Sequence, residues 1–359
     1  METVGLNFAR LFDGAFYGKK VLVTGDTGFK GSWLSLWLYL MGARVYGYAL
    51  APVCAADNFT LCALDQKITD IRGDIRDREH LKAVFDTYQP ELVFHLAAQP
   101  IVRLSYELPA ETLETNIMGT VNVLECIRTS ESVLAGVIVT SDKCYENREQ
   151  LWGYREDDAM GGFDPYSASK GCAELVTAAY RNSFPRKALS SARAGNVVGG
   201  GDWSADRILP DCVRALESGR AVDVRNPYAV RPWQFVLEPL YGYLLLASKL
   251  LRDSKKYAGA WNFGPESDSI VPVKELVESA VRIWGSGKWN DLSAKGGVHE
   301  ASLLNLDCTK AKILLGWKPR LTLDETLEWT LEWYKAYKSE DVCQLCERQI
   351  KDYCLKGHM

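Results

Sequence analysis

Val21-Leu-Val-Thr-Gly-Asp-Thr-Gly-Phe-Lys-Gly-Ser32 decides how the chain is read. An apolar run ends at Thr24, glycines follow at Gly25, Gly28 and Gly31, and the apolar segment Trp33–Leu40 comes next. This order predicts a buried strand, a tight glycine turn and a helix. Gly25 turns where a side chain would clash, Gly28 lets backbone N–H groups approach a pyrophosphate, and Gly31 lets the helix pack close to the strand. The helix N-terminus then offers unpaired N–H groups and partial positive charge to that anion. Candidate cofactor contacts here are Gly25, Thr27, Gly28, Phe29, Lys30 and Gly31. Lys30 reads equally as a ribose or phosphate ligand and as a solvated lysine. The bland alternative for the whole stretch is an ordinary strand–helix turn.

The flanking sequence continues the alternation of strand and helix. Residues 1–18 read as a loose lead-in, and Gly42–Leu50 as the second strand. No carboxylate follows Tyr48, so the residue that commonly holds an adenosine ribose is missing and NAD is not separated from NADP. Strand-like Ile68–Ile71 leads to Asp74 and Ile75, which either contact adenine or begin the helix expected over Arg78–Tyr88. Glu91–Gln99 reads as a buried strand ending in small residues that leave room for a ligand. Leu96, Ala97 and Ala98 are cofactor candidates, Gln99 and Arg103 substrate candidates, and His95 a satisfied core histidine. Thr115–Cys126 has helical apolar spacing, with Thr115 as a further cofactor candidate.

Gly136–Thr140 is the next strand, with Ser141, Asp142 and Lys143 just past its end. Pro165 suits a helix start, so Tyr166 and Lys170 lie four residues apart on one face. A phenol with a reference pKa of about 10 needs help to act as a base near neutrality. A nearby ammonium and a cationic nicotinamide both supply it, and Lys170 is expected to lower the Tyr166 pKa. From Arg193 onward, loops rich in Arg, Asn, Trp and Pro hold Asn196, Arg207, Ile208, Arg225 and Arg231. Arginine forks suit a diphosphate, although any one of them taken alone reads as a surface ion pair. Lys274–Trp284 and Leu323–Tyr337 read as amphipathic helices. His299, before strand-like Ser302–Leu306, either closes the substrate site or does not reach it.

The 359 residues are 47% hydrophobic and 25% charged, enough for a sizeable core and two lobes. A net charge of −4 offers no basic field for nucleic acid. No apolar run approaches the ~20 residues of a membrane span, and the first residues do not read as a signal peptide. A soluble cytoplasmic protein is expected. The ten cysteines are scattered and read as reduced core thiols. Cys343-Gln-Leu-Cys346 lacks a second pair, so no metal is expected and residues 341–359 read as an irregular tail. The expected fold is α/β, a Rossmann-type doubly wound parallel sheet with a smaller C-terminal substrate-binding lobe. The dinucleotide domain is expected over 18–192, with a return near 232–262. The lobe is expected over 193–231 and 263–340.

Thr24–Gly31, His95–Ala98, Ser141-Asp142, Tyr166–Lys170 and Arg193–Asn196 together resemble the extended short-chain dehydrogenase/reductases, whose glycine spacing this chain shares. Gly28–Trp33, Thr140–Tyr145, Gly199–Trp203 and Arg231–Gln234 narrow the resemblance to the CDP-glucose 4,6-dehydratase family, over residues 18 to 335. The resemblance implies tightly held NAD and CDP-glucose as substrate, with hydride borrowed from carbon 4 and returned at carbon 6. It implies Tyr166 as base for the 4-hydroxyl, Ser141 bonding that oxygen, Asp142 protonating the departing 6-hydroxyl, and Lys170 holding the ribose. Relatives acting on dTDP-glucose carry Thr-Asp-Glu where this chain has Ser141-Asp142-Lys143, with the Glu as base. Lys143 is therefore either the carbon-5 base or a stabiliser of the enolate. Asn196 and Arg231 match diphosphate contacts in related enzymes, and Arg207, Ile208 and Arg225 flank the nucleotide. The family's usual homodimer packs the Thr115–Cys126 and Tyr166 helices against a second copy. The rival readings are another nucleotide-sugar dehydratase or 4-epimerase and, more distantly, a non-catalytic dinucleotide sensor. The epimerase needs no acid at the 6-hydroxyl, and the sensor needs no Tyr166–Lys170 pair.

Overall fold

Seven parallel strands form the centre of the structure, a computed structural model that describes residues 6–293 and 302–357. They are β1 (Lys20–Thr24), β2 (Arg44–Ala49), β3 (Thr69–Arg72), β4 (Leu92–His95), β5 (Ala135–Val139), β6 (Ala188–Arg193) and β7 (Gly259–Asn262). The spatial order is β7-β6-β5-β4-β1-β2-β3, with Val21 opposite Val45 on one side and Leu92 on the other. The order reverses between β1 and β4, which opens a crevice at the carboxyl ends of the strands. β4, β5 and β6 are buried at every position, as strands covered on both faces must be.

Strand alternation sorts β1 between the two faces. Val21 and Val23 join α1 (Phe29–Leu40), while Leu22 joins α3 (Arg78–Tyr88) and α4 (Gly119–Thr129), with the short α2 (Asn58–Leu61) between them in the chain. α5 (Pro165–Ser183) lies on the α3 side and, after α6 (Ile208–Glu217), α7 (Leu237–Arg252) on the α1 side. α1 is buried continuously from Gly31 to Leu38, so its close seat on the sheet matters. A Cβ on Gly31 would lie 2.0 Å from the Gly25 carbonyl oxygen, and one on Gly25 2.7 Å from the Ala97 nitrogen. Gly25 also adopts φ +74°, which favours glycine.

Beyond β6 the chain forms short strand pairs. Val197–Val198 lies parallel to Gln234–Phe235, Val222–Val224 parallel to Trp289–Asp291, and Val230–Pro232 antiparallel to Ile270–Pro272. α6 and α8 (Val273–Trp284) pack together over this region, and α9 (Leu323–Ala336) begins with a Thr322–Glu325 capping box. The strand expected at Ser302–Leu306 is reduced to single bridges, Leu303 with Val230 and Leu306 with Tyr154.

Both ends of the chain differ from expectation. Residues 8–14 form tight turns, and Phe12 and Phe16 pack toward Trp37 and Tyr241 in the core, so the described part of the lead-in is not loose. The tail expected to be irregular is a helix, α10 (Val342–Lys356), capped by Asp341. Its stripe of Val342, Leu345, Cys346, Ile350 and Tyr353 is buried against α1, α2 and α9. Tyr353 stacks edge-on to Trp37 at 6.0 Å and donates to Glu238 at 2.6 Å. The Cys346 thiol donates to Asn58 Oδ1 at 3.1 Å, and all ten cysteines are free thiols. Among the described residues no helix is long and apolar enough to cross a membrane.

Candidate active site

Two local devices bring the reactive side chains together. β5 ends at Val139, and Ser141 then caps a short turn. Its Oγ accepts from the Lys143 N–H at 3.2 Å and donates to Asp142 Oδ1 at 2.9 Å. α5 starts on Asp164, whose side chain accepts from the Ser167 N–H, with Pro165 in the first turn. Tyr166 and Lys170 therefore occupy successive turns, and both are buried. The Tyr166 phenol is hydrogen-bonded to Ser141.

These residues open on a cavity of about 860 Å³ at the strand ends, also lined by Phe29, Lys30, Leu96 and Ala98. Lys143 lies on its wall. Asp142 lines it with 1% of its surface exposed, and Oδ2 has no hydrogen-bond partner. Gly195 presses on that carboxylate, since a Cβ there would lie 1.8 Å from Oδ2. Arg103, Asn196, Arg207, Ile208, Arg225 and Arg231 line the same cavity, with Arg207 near enough to act on Tyr166 and Lys30. Asp206 accepts from Arg103 at 3.3 Å and Arg225 at 2.8 Å, and Asp202 accepts from Arg207 at 2.7 Å. Arg231 donates to the Val230 carbonyl at 2.9 Å. The arginines are thus pre-set by short carboxylate or carbonyl contacts, facing a space large enough for a phosphorylated ligand.

The electrostatics corrects one expectation. Burial pushes the Tyr166 phenol up to about 12; the Ser141 hydrogen bond and Arg207 pull against it, while Asp142 adds to the rise. Lys170 is not what lowers this phenol. Its own pKa is brought down to about 8 by burial, with Glu174 opposing. Lys30 falls to about 7 through burial and then the like charges of Lys170 and Arg207.

The remaining candidates lie elsewhere. Gly25, Thr27, Gly28 and Gly31 form the glycine turn beyond the cavity, where Thr27 donates to the Leu50 carbonyl at 3.1 Å. The Ala97 N–H donates to Thr24 Oγ1 at 3.3 Å. The Asp74 carboxylate is held by Arg76 at 2.6 Å, and the cap of α3 is Asp77, not Asp74. Ile75 is buried beneath Gly119. Thr115 does not line the cavity; its neighbour Asn116 instead clamps the Gln99 backbone at 2.8 and 3.1 Å. The Gln99 amide turns away to Ile101 and Thr112. His95 is a core residue between Thr24 and Thr120, at 2.7 and 3.0 Å, with burial holding its pKa down at about 3. His299 lies outside the described residues.

Several supporting residues escaped the sequence reading. Glu174, one turn beyond Lys170, accepts from Thr140 at 2.5 Å, Ser191 at 2.6 Å and Arg193 at 2.7 Å. Arg193 also donates to the Tyr145 hydroxyl, which donates to Asn262 at 2.7 Å. Burial would raise Glu174, but Arg193 and these hydrogen bonds hold it below its ordinary range. The available signals were the four-residue spacing from Lys170 to Glu174, and Asp206 directly before Arg207 with Asp202 five residues before it. Only the fold shows which arginine each carboxylate meets.

Comparison with known proteins places the chain. The sequence profile of the GDP-mannose 4,6 dehydratase family matches residues 22–256. A CDP-glucose 4,6-dehydratase from Salmonella typhimurium (strain LT2) is 50% identical over 345 residues, covering 94% of this chain and 96% of that protein. The chain belongs to the CDP-glucose 4,6-dehydratase family. A dTDP-glucose 4,6-dehydratase from Haemophilus influenzae is 23% identical, with 88% of this chain covered and 97% of that one. The fold of this family member is shared with UDP-glucose 4-epimerase from Thermotoga maritima solved with UDP-glucose, at TM-score 0.77, 24% identity and coverage of 89% and 99%. It is shared equally with a dTDP-glucose 4,6-dehydratase from Bacillus anthracis solved with NAD, at TM-score 0.75, 20% identity and coverage of 91% and 99%. The dehydratase-family strings Ser141–Tyr145 and Gly199–Trp203 both contribute residues to the cavity wall.

Proposed function

We propose that this protein converts CDP-D-glucose to CDP-4-keto-6-deoxy-D-glucose and water, with NAD as a retained cofactor. The observation that carries the reading is one cavity lined by Tyr166, Ser141 and Asp142 together with Arg103, Arg207, Arg225 and Arg231. The residues fit a dinucleotide. The Gly25–Gly31 turn is kept free of side chains where a Cβ would strike backbone, and it delivers the start of α1 to the crevice. Tyr166 and Lys170 lie at the adjoining strand end. Bound there, NAD supplies a reversible store for the hydrogen taken from carbon 4.

The chain's own residues do the rest. Ser141 hydrogen-bonds the 4-oxygen, and Tyr166 takes its proton. Because burial keeps the phenol protonated in the ligand-free chain, this transfer depends on positive charge gathered around it, from Arg207 in the protein and from an oxidised cofactor. Lys170, buried and close to its titration point, holds the ribose hydroxyls. Lys143, at the cavity wall, either takes the carbon-5 proton or stabilises the enolate left when that proton goes. Asp142 gives a proton to the leaving 6-hydroxyl, and its Oδ2 has no protein partner to satisfy first. Arg103, Arg207, Arg225 and Arg231 bind the diphosphate and its nucleoside. That buried acid favours dehydration over 4-epimerisation, which needs no proton at carbon 6.

Incubation with CDP-glucose, followed by alkali, should develop the absorbance of a 4-keto sugar, and parallel CDP-, dTDP-, UDP- and GDP-glucose reactions should rank the CDP sugar first. An enzyme that interconverts the 4-epimers without losing water would refute the assignment. Tyr166→Phe should lower turnover by about 10²–10⁴-fold. In Lys143→Met, undiminished solvent deuterium entry at carbon 5 would remove Lys143 from the base role.

The same reading makes the protein a cytoplasmic homodimer. Free thiols at all ten cysteines suit a reducing compartment. Leu113, Met118 and Leu175 are exposed on the segments that would meet a second copy. Met118→Glu with Leu175→Glu should shift the mass measured by light scattering from dimer to monomer.

A further inference from the structure

Three thiols meet where the C-terminal helix joins the rest of the chain, and none of them lines the cavity. The C-x-x-C pair of the sequence, Cys343 and Cys346, lies in the first two turns of α10, and Cys62 closes α2 opposite it. The Cys62 and Cys346 sulfurs donate to one oxygen, Asn58 Oδ1, at 3.5 and 3.1 Å. Cys62 is also hydrogen-bonded to both Cys343 and Cys346. Cys343 is half-buried and the other two are buried, so it is the sulfur of the trio that solvent reaches. It is the second residue of α10, where the helix dipole favours a thiolate. Lys67, whose ammonium donates to the Cys62 carbonyl at 2.8 Å, places a cation near Cys62 and Cys343. Against these, the contact with Cys62 and then burial push the Cys343 thiol up. For Cys62 the Cys343 contact pulls down, while Cys346 and burial push up and prevail. Both sulfurs therefore rest as thiols near neutrality, side by side and slow to react.

We propose that Cys62 and Cys343 form an oxidation site, which a hydroperoxide closes into a disulfide that staples α10 to α2. The Cys343 sulfur takes one peroxide oxygen as the O–O bond breaks and water departs, leaving a sulfenic acid. The Cys62 sulfur then attacks that sulfur, the S–O bond breaks, and a second water leaves. The two thiols are oxidised, the peroxide is reduced, and the thiol protons end in the two waters. Cys346 keeps its bond to Asn58. The staple falls on a junction of the fold. Asn58 donates to Ser32 of α1 at 3.4 Å and accepts from Trp333 of α9 at 3.3 Å. It also seats Gly201, where a Cβ would lie 2.5 Å from the Asn58 Cβ. Closing the pair therefore fixes the C-terminal helix to the segment that braces α1 and the Gly199–Trp203 string.

The test exposes the full-length reduced protein to hydrogen peroxide, alkylates the remaining thiols, digests without reductant and maps the peptides by mass spectrometry. The map should show one linked pair, Cys62 with Cys343, two hydrogens lighter than the separate peptides and released by dithiothreitol. Because a cross-link between such distant positions restricts the unfolded chain, peroxide should raise the melting temperature by about 5 °C, reversibly. Cys343→Ser and Cys62→Ser should each lose the link and the shift. Cys354→Ser, which alters a buried thiol farther along α10, should keep both. The wild-type map decides the matter by itself if the serine variants do not fold. A link from either cysteine to Cys346 or to a second copy of the chain would overturn the proposal. So would sulfinic or sulfonic acid at Cys343 beside a Cys62 that is still alkylated.

Discussion

Asp26 lies inside the glycine turn, yet its carboxylate is fully buried and neither oxygen has a hydrogen-bond partner. It occupies the space a side chain on Gly47 would need, 2.1 Å from a Cβ there, and it acts on Asp70 across the sheet. Burial first, and Asp70 second, raise its pKa from 3.8 to about 7. The folded state therefore binds this proton more tightly than the unfolded chain does. Its contribution to stability is complete below pH 4 and is lost as pH rises to about 7. At about 1.4 kcal/mol per unit, the full swing is roughly 4 kcal/mol as an upper limit. Asp26→Asn removes the titration while keeping shape, and it removes the repulsion with Asp70. Urea unfolding of both proteins at pH 4.5, 6 and 8 reads the difference. The variant should gain relative to wild type as pH rises, by a few kcal/mol at pH 8, and differ little at pH 4.5. Parallel stability curves for the two proteins across that range would refute the reasoning, because they would show Asp26 ionised in the folded state at no cost.

Three further outcomes follow from the packing. Arg193→Met leaves Glu174 as an uncompensated buried charge and should cost about 3–5 kcal/mol in denaturant unfolding, more than Glu174→Gln with Arg193→Met together. Gly31→Ala places a methyl 2.0 Å from the Gly25 carbonyl oxygen, so it should lower the melting temperature and weaken dinucleotide binding together. Ending the chain at Ser339 uncovers Trp37 and leaves Glu238 without its Tyr353 donor; the shortened protein should melt lower and bind a hydrophobic dye.

What the sequence by itself determined about this protein is what local rules encode. Apolar runs placed the first five strands of the sheet, the Gly25–Gly31 spacing placed the turn, Asp164-Pro165 started α5, and four-residue spacing put Tyr166 and Lys170 on one face. The strings Ser141–Tyr145 and Gly199–Trp203 pointed to the family for the same reason, each being a short contiguous signature. Tertiary structure decided whatever depends on partners distant in sequence. The stripe of α10 was present in the chain, but only the uncovered flank of α1 explains why those residues order. Glu174 drew no notice in the sequence, because its partners Arg193 and Thr140 meet it only in the fold. The Tyr166 phenol was expected to be acidified by Lys170, but the energy of a charge depends on its solvation, and burial outweighed a spacing argument. Asp26 and Lys30 carry the same lesson: a side chain's identity is local, whereas the dielectric and the charges it meets are set by the whole fold.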